Sequence, residues 1–129
     1  MNIVSNKKTW QRSLISPMEE IGKAIKKLDT SAMQILLVVD ETRNLLGTIT
    51  DGDVRRALLN GFRFQDCVKD IMHQKPVIVS EKTDLSRTLE LMRSHKLRQL
   101  PITNNIGSVV GLHVWDELIS VPKRNNFCM

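Results

Sequence analysis

A chain of 129 residues is long enough for one compact domain or two closely packed halves, and too short for two large independent ones. Its 41% hydrophobic and 26% charged residues are ordinary globular composition, and no apolar run approaches the ~20 residues of a membrane-spanning helix. The net charge of +5 invites an anionic partner, but the basic residues are dispersed and only Trp10, Phe62, Phe64, Trp115 and Phe127 could stack on bases, so a small phosphorylated ligand suits the chain better than nucleic acid.

Residues 1–13 read as a polar, basic arm. They contain no apolar core of the kind a secretory signal needs, so a cytoplasmic protein is expected. Leu14-Ile15 predicts a short strand. Ser16-Pro17-Met18-Glu19 then predicts a helix start, with Ser at the N-cap, Pro at N1 and Glu at N3. Ile21, Ala24, Ile25 and Leu28 give that helix one apolar face. The unbroken apolar run Ile35 to Val39 predicts a strand covered on both sides. A turn over Asp40 to Asn44 leads to a strand from Leu45 to Thr50, and a helix runs from Asp51 to about Asn60-Gly61, where glycine supplies the stop.

The junction between that strand and helix is the richest stretch of the chain: Gly47-Thr48-Ile49-Thr50-Asp51-Gly52-Asp53-Val54-Arg55-Arg56. Thr50 stands three residues before Asp53, the spacing at which an N-cap hydroxyl and a carboxylate satisfy a helix start reciprocally. A helix N-terminus also offers free N–H groups to phosphate, Arg55 and Arg56 add guanidinium donors, and the Asp53 carboxylate could accept from sugar hydroxyls. From these residues alone a plain helix cap and a ligand site both remain open.

The pattern then recurs. Residues 62–76 form a connector with a short helix expected from Asp66 to Met72. Val77 to Val79 is a strand, Asp84 to Ser94 a helix, Leu100 to Thr103 and Val109 to His113 two strands, and Asp116 to Ser120 a short helix. The halves superpose without a gap at an offset of 64 (111 − 47, Gly111 on Gly47). Ile21 falls on Leu85, Ile25 on Leu89, Leu36 on Leu100, Val38 on Ile102 and Val54 on Leu118. Agreement through both helical and strand periods marks a tandem duplication, and each unit has too little core to stand alone, so the copies should share one. The expected fold is α+β: two tandem βαββα repeats about a pseudo-two-fold axis, repeat one over 14–61 and repeat two over 77–120, with 121–129 as a tail.

A βαββα unit present twice and carrying G-x-I-T-x-x-D resembles the cystathionine-β-synthase (CBS) domain pair, or Bateman module. The resemblance covers residues 14–120 and rests on Gly47-Thr48-Ile49-Thr50 with Asp53, on Leu100-Pro101-Ile102 with Gly111, and on the connector Val68-Lys69-Asp70-Ile71-Met72 with Pro76-Val77-Ile78-Val79. It implies a cleft that binds an adenine nucleotide (AMP, ADP or ATP) or another nucleotide, with Mg²⁺ entering beside a polyphosphate. It also implies regulation of an attached catalytic domain, and homodimers formed through the helices. Carried over, Asp53 would hold ribose hydroxyls and Thr50 phosphate, with Arg55, Arg56 and Arg98 as further phosphate contacts. Ile15, Ser16, Leu36 and Leu37 would line a base pocket beside Asp53. The second copy departs from the pattern, with Val114 for Thr50 and Glu117 for Asp53, so one competent site is expected. The stretches 45–59 and 111–118 further resemble CBS pairs that precede sugar-phosphate nucleotidyltransferase domains.

Other chemistry is thinly supported. Asp51-Gly52-Asp53 lacks the further acids of a calcium loop, and Cys67 and Cys128 have neither disulfide nor zinc spacing. His73, His95 and His113 lie on separate elements, and no P-loop, G-x-S-x-G or H-E-x-x-H occurs. This stretch is therefore expected to be a non-catalytic module, its alternative role being a ligand-free dimerisation unit.

Overall fold

The computed structural model describes residues 10–31 and 33–120, without the side chain of Ser120. A 3₁₀ turn, Trp10–Ser13, leads into β1 (Leu14–Ile15), α1 (Ile21–Thr30), β2 (Leu36–Val39), β3 (Leu45–Ile49) and α2 (Asp51–Leu59). A 3₁₀ turn at Val68–Asp70 bridges to β4 (Val79–Ser80), α3 (Leu85–Ser94), β5 (Gln99–Thr103), β6 (Val109–Val114) and α4 (Trp115–Ser120). Two three-stranded sheets result, ordered β1-β2-β3 and β4-β5-β6, each with one parallel and one antiparallel pairing.

The offset of 64 governs the sheets residue by residue. Ile15 pairs with Val38 and Val79 with Ile102; Leu36 pairs with Ile49 and Leu100 with His113. Even the irregularity recurs, between Val38 and Val39 in one sheet and between Ile102 and Thr103 in the other. The axis relating the halves is visible where equivalent residues meet. Asn44 bridges Ser108, the Leu45 amide donates to the Gly107 carbonyl at 3.1 Å, and the equivalent Val109 amide donates to the Arg43 carbonyl at 2.9 Å. A residue touching its own equivalent, with reciprocal bonds on either side, is the mark of a two-fold.

The apolar run read as a strand covered on both sides is β2, all four of whose residues are buried. Alternate side chains leave opposite faces of a strand. Leu36 and Val38 pack with Ile15, Ile21, Ala24, Leu28, Ile49, Val54 and Val68. Leu37 and Val39 pack on the other side with Trp10, Met33, Ile35 and Val109, against which Leu112 and Val114 also lie. The second face of the first repeat is thus covered by β6 of the second, which is the shared core expected of two units too small to fold apart. Each fully buried Leu or Ile here contributes about 1.5–3 kcal/mol.

Three sequence expectations need correction. The first helix begins at Ile21 rather than at Pro17, and its N-cap is Glu20 without a side-chain bond. Ser16 instead closes a turn, its carbonyl accepting from the Glu19 amide and its hydroxyl from the Met18 amide. The physical reason is the connector: the carbonyls of Asp66 and Phe64 accept from the amides of Ile21 and Gly22, doing what a capping side chain would do. The amides of Val68 and Lys69 in turn donate to Glu19 and Pro17, which holds that stretch out of the helix. Second, the connector helix shrinks to the single turn Val68–Asp70. Third, β4 lies at Val79–Ser80, two residues later than its predicted start. The other elements differ from their predicted ends by one or two residues.

Gly47 is required by close approach. A Cβ there would stand 2.7 Å from the His73 carbonyl oxygen and 2.8 Å from the Met72 sulfur, and the first of these is backbone already paired with Thr48. At the equivalent Gly111 the nearest atom is the movable Cδ1 of Ile102, at 3.0 Å. Gly47→Ala should therefore lower unfolding free energy by about 1–3 kcal/mol in a urea titration, and Gly111→Ala by distinctly less.

Candidate functional site

The junction from β3 into α2 forms as its sequence spacing indicates. The Thr50 hydroxyl accepts from the Asp53 amide at 3.4 Å, while Asp53 Oδ2 accepts from the Thr50 amide at 3.0 Å and the Thr50 hydroxyl at 3.1 Å. The other carboxylate oxygen, Oδ1, accepts from Arg56 Nη2 at 2.7 Å. The Asp53 side chain is largely sheltered and the Arg56 guanidinium mostly exposed, so a second anion could share that guanidinium. Arg55 lies on the exposed surface of the same turn of helix. Thr50, Asp53, Arg55 and Arg56 thus form one polar cluster at a helix N-terminus, where the backbone dipole favours an anion.

Two grooves flank the sheets. The larger encloses about 530 Å³ and is lined by Leu14, Ile15, Ser16, Pro17, Met18, Val39, Asp40, Glu41 and Thr42. The smaller, about 220 Å³, is lined by Ser80, Glu81, Lys82, Asn104, Asn105 and Ile106. These six residues lie 64 positions after Ser16, Pro17, Met18, Asp40, Glu41 and Thr42, so the grooves are equivalents under the two-fold. Asp40 and Asn104 build the same turn, each side-chain oxygen accepting from the amides two and four residues on. At Asp40 the Thr42 hydroxyl and the Asn44 amide hold the carboxyl below its usual pKa.

The residues expected to act together are therefore divided. Ile15 and Ser16 line the larger groove, but not beside Asp53. Ile15 pairs with Val38 near the end of β2, whereas Thr50 follows Ile49, which pairs with Leu36 at its start. At ~3.3 Å per residue, the four-residue β2 separates the two by about 10 Å. Leu36 and Leu37 have 0% exposure, on opposite faces of β2, so neither side chain presents surface to a base in this arrangement. Arg98 belongs to the second junction, where its guanidinium holds both oxygens of Asp116 at 3.0 and 3.1 Å and its carbonyl accepts from the Trp115 amide.

Val114, the equivalent of Thr50, packs in the same cluster as Leu14 and Val39, which line the larger groove. The smaller groove carries Lys82 where the larger carries Met18. Ser80, Lys82 and Asn104 line this groove, and no local motif in the sequence singles them out. At the second junction apolar Val114 replaces the hydroxyl, and burial raises the Glu117 carboxyl above its ordinary pKa.

Two βαββα units about a two-fold, each with a β–α junction and a groove, define a tandem-repeat module. The model of the CBS domain family matches residues 14–60 and 68–112, and the chain belongs to that family. It is 28% identical over 112 residues to arabinose 5-phosphate isomerase KdsD of Francisella tularensis, covering 86% of this chain and 34% of the isomerase. The chain thus spans about a third of that relative's length. Among solved structures it resembles CBSX2 in complex with AMP, with a TM-score of 0.77 at 21% identity over 88% of this chain and 89% of that one. It also resembles the cytosolic domain of the Mg²⁺ channel MgtE in complex with ATP, with a TM-score of 0.72 at 23% identity over 84% of this chain and 44% of that one. Among the described residues no helix is long and apolar enough to cross a membrane.

Thr50→Ala should cost about 1 kcal/mol through the lost cap, and Thr50→Ser much less, as read by urea unfolding. Glu117 is bound more tightly to its proton when folded. Its stabilising contribution is complete below the ordinary pKa of 4.5 and fades as pH rises through the raised value. Glu117→Gln should therefore gain stability relative to the parent at pH 7 and lose that advantage at pH 4.

Proposed function

We propose that this chain is a nucleotide-sensing regulatory module whose ligand, an adenine nucleotide, is held at the first junction and the smaller groove. The carrying observation is asymmetry: a hydroxyl, a carboxylate and two arginines cluster at the junction of α2, and none of the three chemistries stands at the equivalent positions Val114 and Glu117 except a longer acid. In this reading Asp53 exchanges some of its capping bonds for ribose hydroxyls, Thr50 and the N-terminal amides of α2 meet phosphate, and Arg55, Arg56 and Lys82 supply positive charge. CBS proteins of the same fold with AMP and ATP bound support the ligand class. Mg²⁺ would arrive with a polyphosphate, since no group of three or more His, Cys, Asp and Glu is disposed to hold a metal among the described residues.

Regulation needs the ligand to favour one arrangement of the repeats over another. Leu59, 79% exposed, and Phe64, 56% exposed, leave apolar surface at the end of α2 and in the connector, where a homodimer would bury it. The catalytic partner is a longer enzyme of sugar-phosphate metabolism: the isomerase relative supports that class, and stretches 45–59 and 111–118 support a nucleotidyltransferase within it. A ligand-free dimerisation module is the second reading, favoured by Asp53 already having both oxygens engaged.

A thermal-shift titration against AMP, ADP, ATP, CTP, UTP, GTP and S-adenosylmethionine separates the two. A ligand at 100 times its Kd should add about 2.7 kcal/mol, several degrees in Tm for a domain of this size. The shift should vanish in Asp53→Ala measured against its own unliganded baseline. No shift with any nucleotide, together with a Tm that rises with protein concentration, would establish the dimerisation module instead.

A further inference from the structure

The Arg56 side chain is exposed, yet it is folded back along α2 instead of reaching into water. Its Nη2 donates to Asp53 Oδ1 at 2.7 Å. Its two terminal nitrogens also face Gly52, where a Cβ would stand 3.4 Å from Nη1 and 3.7 Å from Nη2. Helix side chains lean toward the N-terminus, and the missing Cβ at Gly52 leaves this one room to lie over the first turn.

The carboxylate it holds has little left to offer. Oδ2 accepts from both the amide and the hydroxyl of Thr50, which fills that oxygen, and Oδ1 accepts from Arg56. A carboxylate oxygen has about two acceptor places, so Oδ1 keeps one. The adjacent hydroxyls of a ribose ask for two. The Thr50 bonds make the helix start and the Arg56 bond does not, so the place of Arg56 is the one a second hydroxyl can take. A phosphate meets a different obstacle. Asp51 and Asp53 both stand in the first turn of α2, so carboxylates already answer the helix dipole and an anion needs a cation beside it.

We infer that Arg56 is a latch that makes the junction select nucleotides over nucleosides. The inference rests on the nucleotide reading given above and adds what that site rejects. A nucleoside brings the diol without an anion, so Asp53 gives up its cation and Arg56 gains nothing in return. A nucleotide brings both. The guanidinium then moves from Asp53 to phosphate, one charge-assisted bond replacing another, while the ribose takes Oδ1. In the second repeat the positions equivalent to Gly52, Asp53 and Arg56 hold Asp116, Glu117 and Ser120, so this pairing has no counterpart there.

Calorimetric titration of AMP and of adenosine into the intact chain, into Arg56→Met and into Arg55→Met tests this. Methionine keeps the helix propensity of arginine and removes the charge. Arg56→Met should bind adenosine about two- to fivefold more tightly than the parent, because the competing ion pair is gone. It should bind AMP about threefold or more weakly, since the lost phosphate bond outweighs the released carboxylate. The two ligands thus move in opposite directions. Arg55→Met removes the same charge but leaves the Asp53–Arg56 pair in place, and its affinity for adenosine should equal the parent's. Adenosine bound no more tightly by Arg56→Met than by the parent overturns the latch, and so does an equal gain in Arg55→Met, which would make net charge the cause. In either case, AMP binding by the parent leaves the nucleotide reading standing. A parent chain that binds neither ligand removes that reading and the latch together.

Discussion

The constraint on which the structure depends is the burial of β2 on both faces. One short strand carries four consecutive apolar side chains, Leu36 to Val39, and alternation sends them in opposite directions. The helices of the first repeat can cover only one face. The other must be covered by something else, and the two-fold brings β6 of the second repeat there, with Val109 in the cluster and Leu112 and Val114 against it. The tandem duplication therefore supplies the cover that β2 needs.

The duplication also frees the copies to diverge. Equal backbones carry unequal chemistry: a hydroxyl, carboxylate and arginine locked together at one junction, and at the other a valine, a glutamate whose burial disfavours its charge, and a surface pair between Arg98 and Asp116. Helix starts have diverged too. Asp84 caps α3 with its own carboxylate, accepting from the Arg87 amide at 2.9 Å, while α1 relies on carbonyls borrowed from the connector. A local signal that works in one repeat was replaced in the other by a distant one.

That substitution explains what could and could not be read from the residues. The repeat, the strand order within each unit and the cap of α2 were legible, because each follows from local periodicity or from a pattern seen twice. The start of α1 was not, since Ser16-Pro17-Met18-Glu19 has every local mark of a helix start and is overridden by backbone bonds from residues 64–69. Nor was the grouping of the site. Ile15 and Ser16 lie near Asp53 in repeat order but at the far end of β2 in space, where they share a groove with Val39 to Thr42. Leu36 and Leu37 match pocket positions by their place in the repeat, yet burial on both faces of β2 leaves their side chains no exposed surface.

The sharing of one core between two halves has a consequence for how the chain is made. The inner face of the first sheet lacks the part of its cover that Val109 to Val114 supply until they have been synthesised, and the first amides of α1 lack their carbonyl partners until Phe64 and Asp66 have emerged. The first repeat leaving a ribosome is thus half a structure that waits for its twin. A cut in the connector would release two fragments that each lack a wall.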